Sequence, residues 1–115
     1  MDAGCTVGPG VELKSCFVFA RTSVAHFNFV GDSVLGADVN VEAGSIVCNH
    51  RNERAGDDRE VHVWWRGARV GTGQVKFGAL IGDGCRIGAN AVLAPGVLLA
   101  PGAVVGRGQL VDQDA

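Results

Sequence analysis

The sequence predicts an all-β chain wound as a single-stranded parallel β-helix of hexapeptide units, and three observations carry that prediction. First, Val75, Ile81, Ile87, Leu93, Leu99, Val105 and Val111 are aliphatic at a strict six-residue period. Second, three places after each of the first six stand Gly78, Gly84, Asn90, Gly96, Gly102 and Gly108, residues that accept a left-handed backbone at low cost. Third, the next position is mostly small: Ala79, Cys85, Ala91, Val97, Ala103. Each unit therefore reads as a short extended segment with one inward aliphatic side chain, then a tight corner. Stacked units of this kind bury one aliphatic column that no single unit could bury alone. A Gly-rich linker would not hold an aliphatic phase over so many units.

The N-terminal half follows the same rhythm through Val7, Leu13, Val18, Val24, Val30, Leu35, Val41 and Val47. Two of its steps, Leu13 to Val18 and Val30 to Leu35, are five residues instead of six. The first short unit carries Lys14 and the second Asp32. Departures from a regular repeat are expected at functional or strained sites, although geometric slack would look the same. Between the halves the repeat stops. Residues 48–74 open with a charged, turn-rich stretch. Glu60 to Val70 then alternates around Arg66-Gly67-Ala68, which predicts a β-hairpin ending at Gly71-Thr72-Gly73. Insertions in solenoids map to one face, often the binding face.

Composition excludes several classes of function. A chain of 115 residues is one domain, and 18 glycines, no tyrosine and 47% hydrophobic residues fit a β-solenoid rather than disorder. A formal charge of −2 gives no reason to expect nucleic acid. No apolar run is long enough to span a bilayer, and the N-terminal residues are not a signal peptide. Cys5, Cys16, Cys48 and Cys85 show no C-x-x-C spacing, which predicts reduced thiols, some filling inward corners, in a cytoplasmic protein. Trp64 and Trp65 are consecutive, so on a strand they face opposite ways. At least one is expected to pack on the solenoid, the other being free to face a neighbouring subunit or an adenine ring.

The most specific stretch surrounds His26. Ala25-His26-Phe27-Asn28-Phe29-Val30-Gly31-Asp32 is followed by Asn40-Val41-Glu42-Ala43-Gly44 and then Cys48-Asn49. This resembles the C-terminal acetyltransferase domain of bifunctional N-acetylglucosamine-1-phosphate uridyltransferases, including the archaeal sugar-1-phosphate nucleotidylyltransferase/acetyltransferases. That family carries a His, an aromatic three residues on, Gly-Asp, an N-x-G-A-G-like run and a Cys-Asn pair. The resemblance extends upstream to Val11-Glu12-Leu13-Lys14 and downstream to Lys76-Phe77-Gly78-Ala79-Leu80-Ile81-Gly82-Asp83, and so covers nearly the whole chain.

The resemblance implies a role for each matching residue. His26 is the general base, because an amine attacking a thioester must lose a proton and a neutral imidazole is suited to take it; an ordinary half-buried histidine is the alternative. The backbone N–H of Ala43 stabilises the tetrahedral oxyanion. Asn49 and Asn40 contact the sugar and orient its amine, unless they are simply turn residues. Lys14 holds the 1-phosphate, unless it is a solvated surface lysine. Phe29 stands where the family usually has a tyrosine whose hydroxyl also helps hold the sugar phosphate. His50 follows Cys48-Asn49 where an aromatic or basic residue is common. The family's loop lysines for acetyl-CoA are not matched one for one. Arg51, Arg54 and Arg59 are candidates to replace them, with Lys76 completing the cofactor-binding set, although Glu53, Asp57, Asp58 and Glu60 make a solvated mixed-charge loop an equal reading. A further family arginine for the phosphate would fall before residue 1.

The resemblance also implies a left-handed coil of about five turns and a homotrimer with sites assembled between protomers. The function it implies is an acyl-CoA-dependent N-acetyltransferase, with acetyl-CoA as donor and an amino-sugar 1-phosphate as acceptor. The nucleotidyltransferase part of that family is not matched here, so uridylyl transfer is not expected of this chain, which is either a stand-alone repeat domain, with a separate nucleotidyltransferase as a possible partner, or an excised piece. Neither nucleic acid nor a membrane is an expected partner. No metal is expected: γ-carbonic anhydrases share such a fold but need two histidines five apart, and His26, His50 and His62 contain no such pair. Phe29 and the unmatched loop lysines leave two alternatives: a catalytically weak or silent trimeric β-helix domain that binds a sugar phosphate or nucleotide sugar or serves as an oligomerisation module, and an acyltransferase with a different acceptor.

Overall fold

The computed structural model describes residues 1–115, and the chain winds as a left-handed parallel β-helix with three faces. The first coil holds β1 (Thr6–Val7), β2 (Glu12–Lys14) and β3 (Phe17–Val18); the second holds β4 (Ser23–Val24), β5 (Phe29–Gly31) and β6 (Val34–Leu35). The third begins with β7 (Asn40–Val41) and β8 (Ile46–Val47). It is then interrupted by a 3-10 turn (Gly56–Arg59) and a hairpin of β9 (His62–Trp65) and β10 (Ala68–Gly71), and it closes with β11 (Leu80–Ile81). The fourth coil is β12 (Arg86–Ile87), β13 (Val92–Leu93) and β14 (Leu98–Leu99), and the fifth is β15 (Val104–Val105) and β16 (Leu110–Val111). The strands stack into a first face β1-β4-β7-β12-β15, a second face β2-β5-β8-β13-β16 and a third face β3-β6-β11-β14.

Register follows unit length. Ile87 pairs with Val105, eighteen residues on, as three six-residue units require. Val24 pairs with Val41, only seventeen on, because the second coil contains a five-residue step. Both five-residue steps lie at the corner between the second and third faces. Ser15 and Asp32 turn that corner with φ of 55° and 49°. The insertion leaves the coil at the same corner in the next turn, so the shortened units and the long loop are one local feature.

The inward column contains Val24, Val30, Leu35, Val41, Val47, Ile81, Ile87 and Leu93, all buried, with Val39, Ala79, Cys85, Ala91 and Val97 filling the corners. Val75 is not part of it. Its side chain is 51% exposed, because it lies on the returning arm of the insertion, and Ile81 takes the place beside Leu35. Gly84, Asn90, Gly96, Gly102 and Gly108 adopt the expected left-handed conformation. Gly78 does not. It is needed because a Cβ there would collide with the Gly31 carbonyl oxygen and the Ser33 hydroxyl.

The hairpin turns on Arg66 and Gly67, with φ of 52° and 78°, the pair of left-handed residues that a two-residue connection prefers. Charged contacts tie the insertion to the last coil. Arg51 is 1% exposed; it donates to both carboxylate oxygens of Asp112 at 2.9 Å and to the Pro95 carbonyl at 2.9 Å. Asp114 accepts from Arg69 at 2.7 and 3.0 Å, from Arg54 at 3.1 Å and from the Trp64 indole at 3.1 Å. No helix is long and apolar enough to cross a membrane.

Candidate active site

Strand alternation gives each face an outer column of side chains. The first face presents Thr6, Ser23, Asn40, Arg86 and Val104. The second presents Glu12, Phe29, Ile46, Val92 and Leu110, and the third Phe17, Val34, Leu80 and Leu98. One face is therefore largely polar and two are largely apolar. The sequence-derived site residues distribute over this frame in three groups.

His26 and Ala43 form the first group. They occupy the corner between the first and second faces on adjacent coils, where the Gly44 N–H donates to the His26 carbonyl at 3.0 Å. His26 is exposed rather than half-buried. Its ring meets Phe27 edge-on, with centroids 5.9 Å apart. Phe27 itself has φ of 54° at a corner where the other coils place Gly10, Gly44, Asn90 and Gly108, all left-handed. Its ring lies over Gly10, where a Cβ would be 2.6 Å from Phe27 Cδ1. The N–H of Ala43 donates to no group in the protein. One coil further, the Ala89 N–H is occupied by Glu42 Oε1 at 2.8 Å. The Glu42 carboxyl is held below its ordinary range, first by the Arg107 guanidinium and then by that amide.

Lys14, Phe29 and Asn49 form the second group, at the opposite edge of the second face. Lys14 is in register with Gly31. A Cβ on Gly31 would lie 2.6 Å from Asn49 Nδ2 and 2.7 Å from Phe29 Cζ, so the aromatic ring and the amide converge over that glycine. Asn49 is fixed by donating to Asp32 Oδ2 at 2.7 Å. Asp32 stands out in the sequence through its short unit and the Gly-Asp pair, neither of which assigns it a role; the structure makes it the residue that orients Asn49. The Phe77 N–H donates to the Asn49 carbonyl at 2.9 Å, which brings exposed Lys76 beside the same corner.

Asn40 stands apart on the first face, between Ser23 and Arg86. The width of the second face, on the order of 10–15 Å for four or five extended residues, separates His26 from Asn49. Within one protomer the three groups do not surround a common point.

Of the residues assigned to the donor, Arg51 is turned inward and spent on Asp112, so it offers no charge to a phosphate. Arg54 is engaged by Asp114 and lies 3.7 Å from Glu53. Lys76 remains open. Trp64 and Trp65 are 45% and 57% exposed, so neither is packed away as expected. Both line an apolar cleft of about 960 Å³ between the hairpin and the third face. All four cysteines are free thiols, and burial pushes those of Cys16 and Cys48 upward.

No protein-family model matches the chain. Among curated proteins it is 38% identical over 108 residues to a bifunctional sugar-1-phosphate nucleotidylyltransferase/acetyltransferase of Sulfurisphaera tokodaii, a match covering 94% of this chain and 26% of that protein. It is 35% identical over 108 residues to the bifunctional protein GlmU of Methanococcus vannielii, covering 94% and 25%. It is 32% identical over 110 residues to the GlmU of Synechococcus elongatus, covering 96% and 20%. The chain thus spans about a quarter or less of the length of these relatives.

Proposed function

This chain is a hexapeptide-repeat domain similar to the acetyltransferase domain of these bifunctional sugar-1-phosphate enzymes, and on that footing we propose that it is an acetyl-CoA-dependent N-acetyltransferase acting on an amino-sugar 1-phosphate. The observation that carries the reading is the pairing of exposed His26 with the unoccupied Ala43 N–H on adjacent coils of one corner. Aminolysis of a thioester needs a base and an oxyanion donor, and the two residues that would supply them stand on neighbouring coils with their backbones one strand spacing apart.

In the proposed reaction the sugar amine attacks the acetyl carbonyl and a C–N bond forms. His26 takes the proton that the amine sheds, and the Ala43 N–H receives the developing oxyanion. Collapse breaks the C–S bond, and the CoA thiolate leaves to be protonated by the imidazolium or solvent. No enzyme nucleophile is involved. Lys14 pairs with the sugar phosphate; Asn40 and Asn49 hold the sugar and aim its amine. Arg54, Arg59 and Lys76 are the remaining candidates for the donor's phosphates. The separation of the three groups within one chain supports a homotrimer in which one protomer's His26 corner faces a neighbour's Asn49 edge. The apolar outer columns of the second and third faces supply surface for such contacts.

The test is thiol release from acetyl-CoA across glucosamine-1-phosphate, galactosamine-1-phosphate and UDP-linked amino sugars, with His26→Ala in parallel. We expect turnover on one acceptor that falls at least a hundredfold in the variant, with the oligomeric state unchanged. Phe29 and the inward turn of Arg51 favour one rival, a silent trimeric scaffold that binds a sugar phosphate or nucleotide sugar. Absence of both turnover and acetyl-CoA binding would overturn the acetyltransferase reading in favour of that rival.

A further inference from the structure

The polar outer column of the first face contains a charge that nothing in the protein uses. Arg86 sits in register between Asn40 and Val104, and neither a carboxylate nor a carbonyl engages its guanidinium. It lines a depression of about 270 Å³ that also includes Asn40, Glu42 and Arg107. Glu42 and Arg107 neutralise each other: Arg107 Nε donates to Glu42 Oε1 at 3.0 Å and Nη2 to Oε2 at 2.9 Å. Glu42 is further committed to the Ala89 amide, which keeps its carboxylate from swinging to Arg86. The depression therefore carries one net positive charge, next to a free side-chain amide.

We propose that this depression is a phosphoryl-binding subsite, with Arg86 as its cation and Asn40 as the neutral group that orients the ligand. A planar guanidinium matches phosphate oxygens in paired hydrogen bonds. Neighbouring strands place the Asn40 and Arg86 backbones about 4.8 Å apart, so one phosphate ester can touch both side chains. The volume lies near the lower end for small-molecule clefts and suits a phosphorylated sugar or one end of a nucleotide. The hydroxyls of Ser23 and Thr6 continue the column with polar contacts. Lys14 lies on a different face, so Arg86 serves a phosphoryl group distinct from the one Lys14 would hold in the same protomer. The choice of natural ligand rests on the acetyltransferase reading; the subsite itself does not.

Two measurements test this. The first is calorimetric titration of the full chain with pyrophosphate at low and raised ionic strength. The wild type is expected to bind, with salt weakening the interaction, and Arg86→Gln to bind about tenfold more weakly or worse. Arg86→Lys should recover part of the loss. The thermal midpoint should be unchanged in both variants, because the side chain is exposed and unpaired. The second measurement identifies the source of the phosphate by comparing KM for glucosamine-1-phosphate with glucosamine, and for acetyl-CoA with S-acetylpantetheine. Arg86→Gln should raise KM for one phosphorylated ligand and leave its phosphate-free counterpart unaffected. Equal pyrophosphate binding by wild type and Arg86→Gln, or none by the wild type, would overturn the subsite. A wild type that binds pyrophosphate through Arg86 but acetylates nothing would sink the proposed activity and leave the subsite standing.

Discussion

Phe27 and Phe29 place two aromatic rings on either side of Asn28, and they do different things. Phe27 holds a left-handed backbone that costs a bulky residue about 1–2 kcal/mol, and its exposed ring recovers little of that by burial. Its visible role is to stand edge-on to His26. Phe29 projects from the second face over Gly31 beside the Asn49 amide, where the family that the sequence resembles usually has a tyrosine. Adding the hydroxyl in Phe29→Tyr is expected to lower KM for a sugar-phosphate acceptor about tenfold, the worth of one charge-assisted hydrogen bond. Turnover number should change little. An unchanged KM would mean that the acceptor's phosphate does not approach Phe29. His26, Phe29 and the Cys48-Asn49 pair were legible from local motif alone. The inward turn of Arg51 was not, because its partners Asp112 and Pro95 lie far along the chain and meet it only when the insertion folds back.

At the scale of the repeat unit, the period forecasts strands and corners well and misassigns one unit. Val75 falls on the six-residue grid, yet the insertion has not rejoined the coil at that point. Gly78 then reads as a turn glycine although its constraint is a close approach between backbones. The two kinds of glycine should separate experimentally. Gly84 is left-handed with open space around its Cβ position, so Gly84→Ala is expected to cost about 1 kcal/mol. Gly78→Ala forces the returning arm away from Gly31 and Ser33 and should cost about 3 kcal/mol or more, in the range of severe overpacking. Chemical denaturation of both variants checks the order. Equal losses would mean that the arm at Gly78 is not held against the second coil.

For the molecule as a whole, the insertion is positioned by carboxylates at the far end of the chain. Asp114 is held well below the usual carboxylate range, first by Arg69 and then by Arg54 and the Trp64 indole. Asp112 is lowered chiefly by Arg51. A depressed folded pKa means that these groups stabilise the fold fully above the unfolded carboxylate value of about 3.9, and that the contribution declines below it and is gone once pH falls through the lower folded value. Trp64 and Trp65 report on the hairpin directly. Their fluorescence is expected to hold constant from neutral pH through about pH 4 and to shift only well below it, where pH approaches the depressed folded values and the clamp is protonated. Asp114→Asn should show much of that shift already at neutral pH. A variant with wild-type emission throughout would remove Asp114 as the anchor.

The sequence by itself determined the β-helix. One inward aliphatic side chain per six residues sets the phase of every unit, and that phase is a local property of the chain. It also located the insertion and the motif around His26. The tertiary structure decided which residues meet. Neighbours across coils are seventeen, eighteen or, around the insertion, forty-six residues apart, and no local rule links side chains over such separations. Stacking register therefore set His26 and the free Ala43 amide at one corner on adjacent coils, joined Asn49 to Asp32, and withdrew Arg51 from solvent. It also left Arg86 as an unpaired charge beside Asn40.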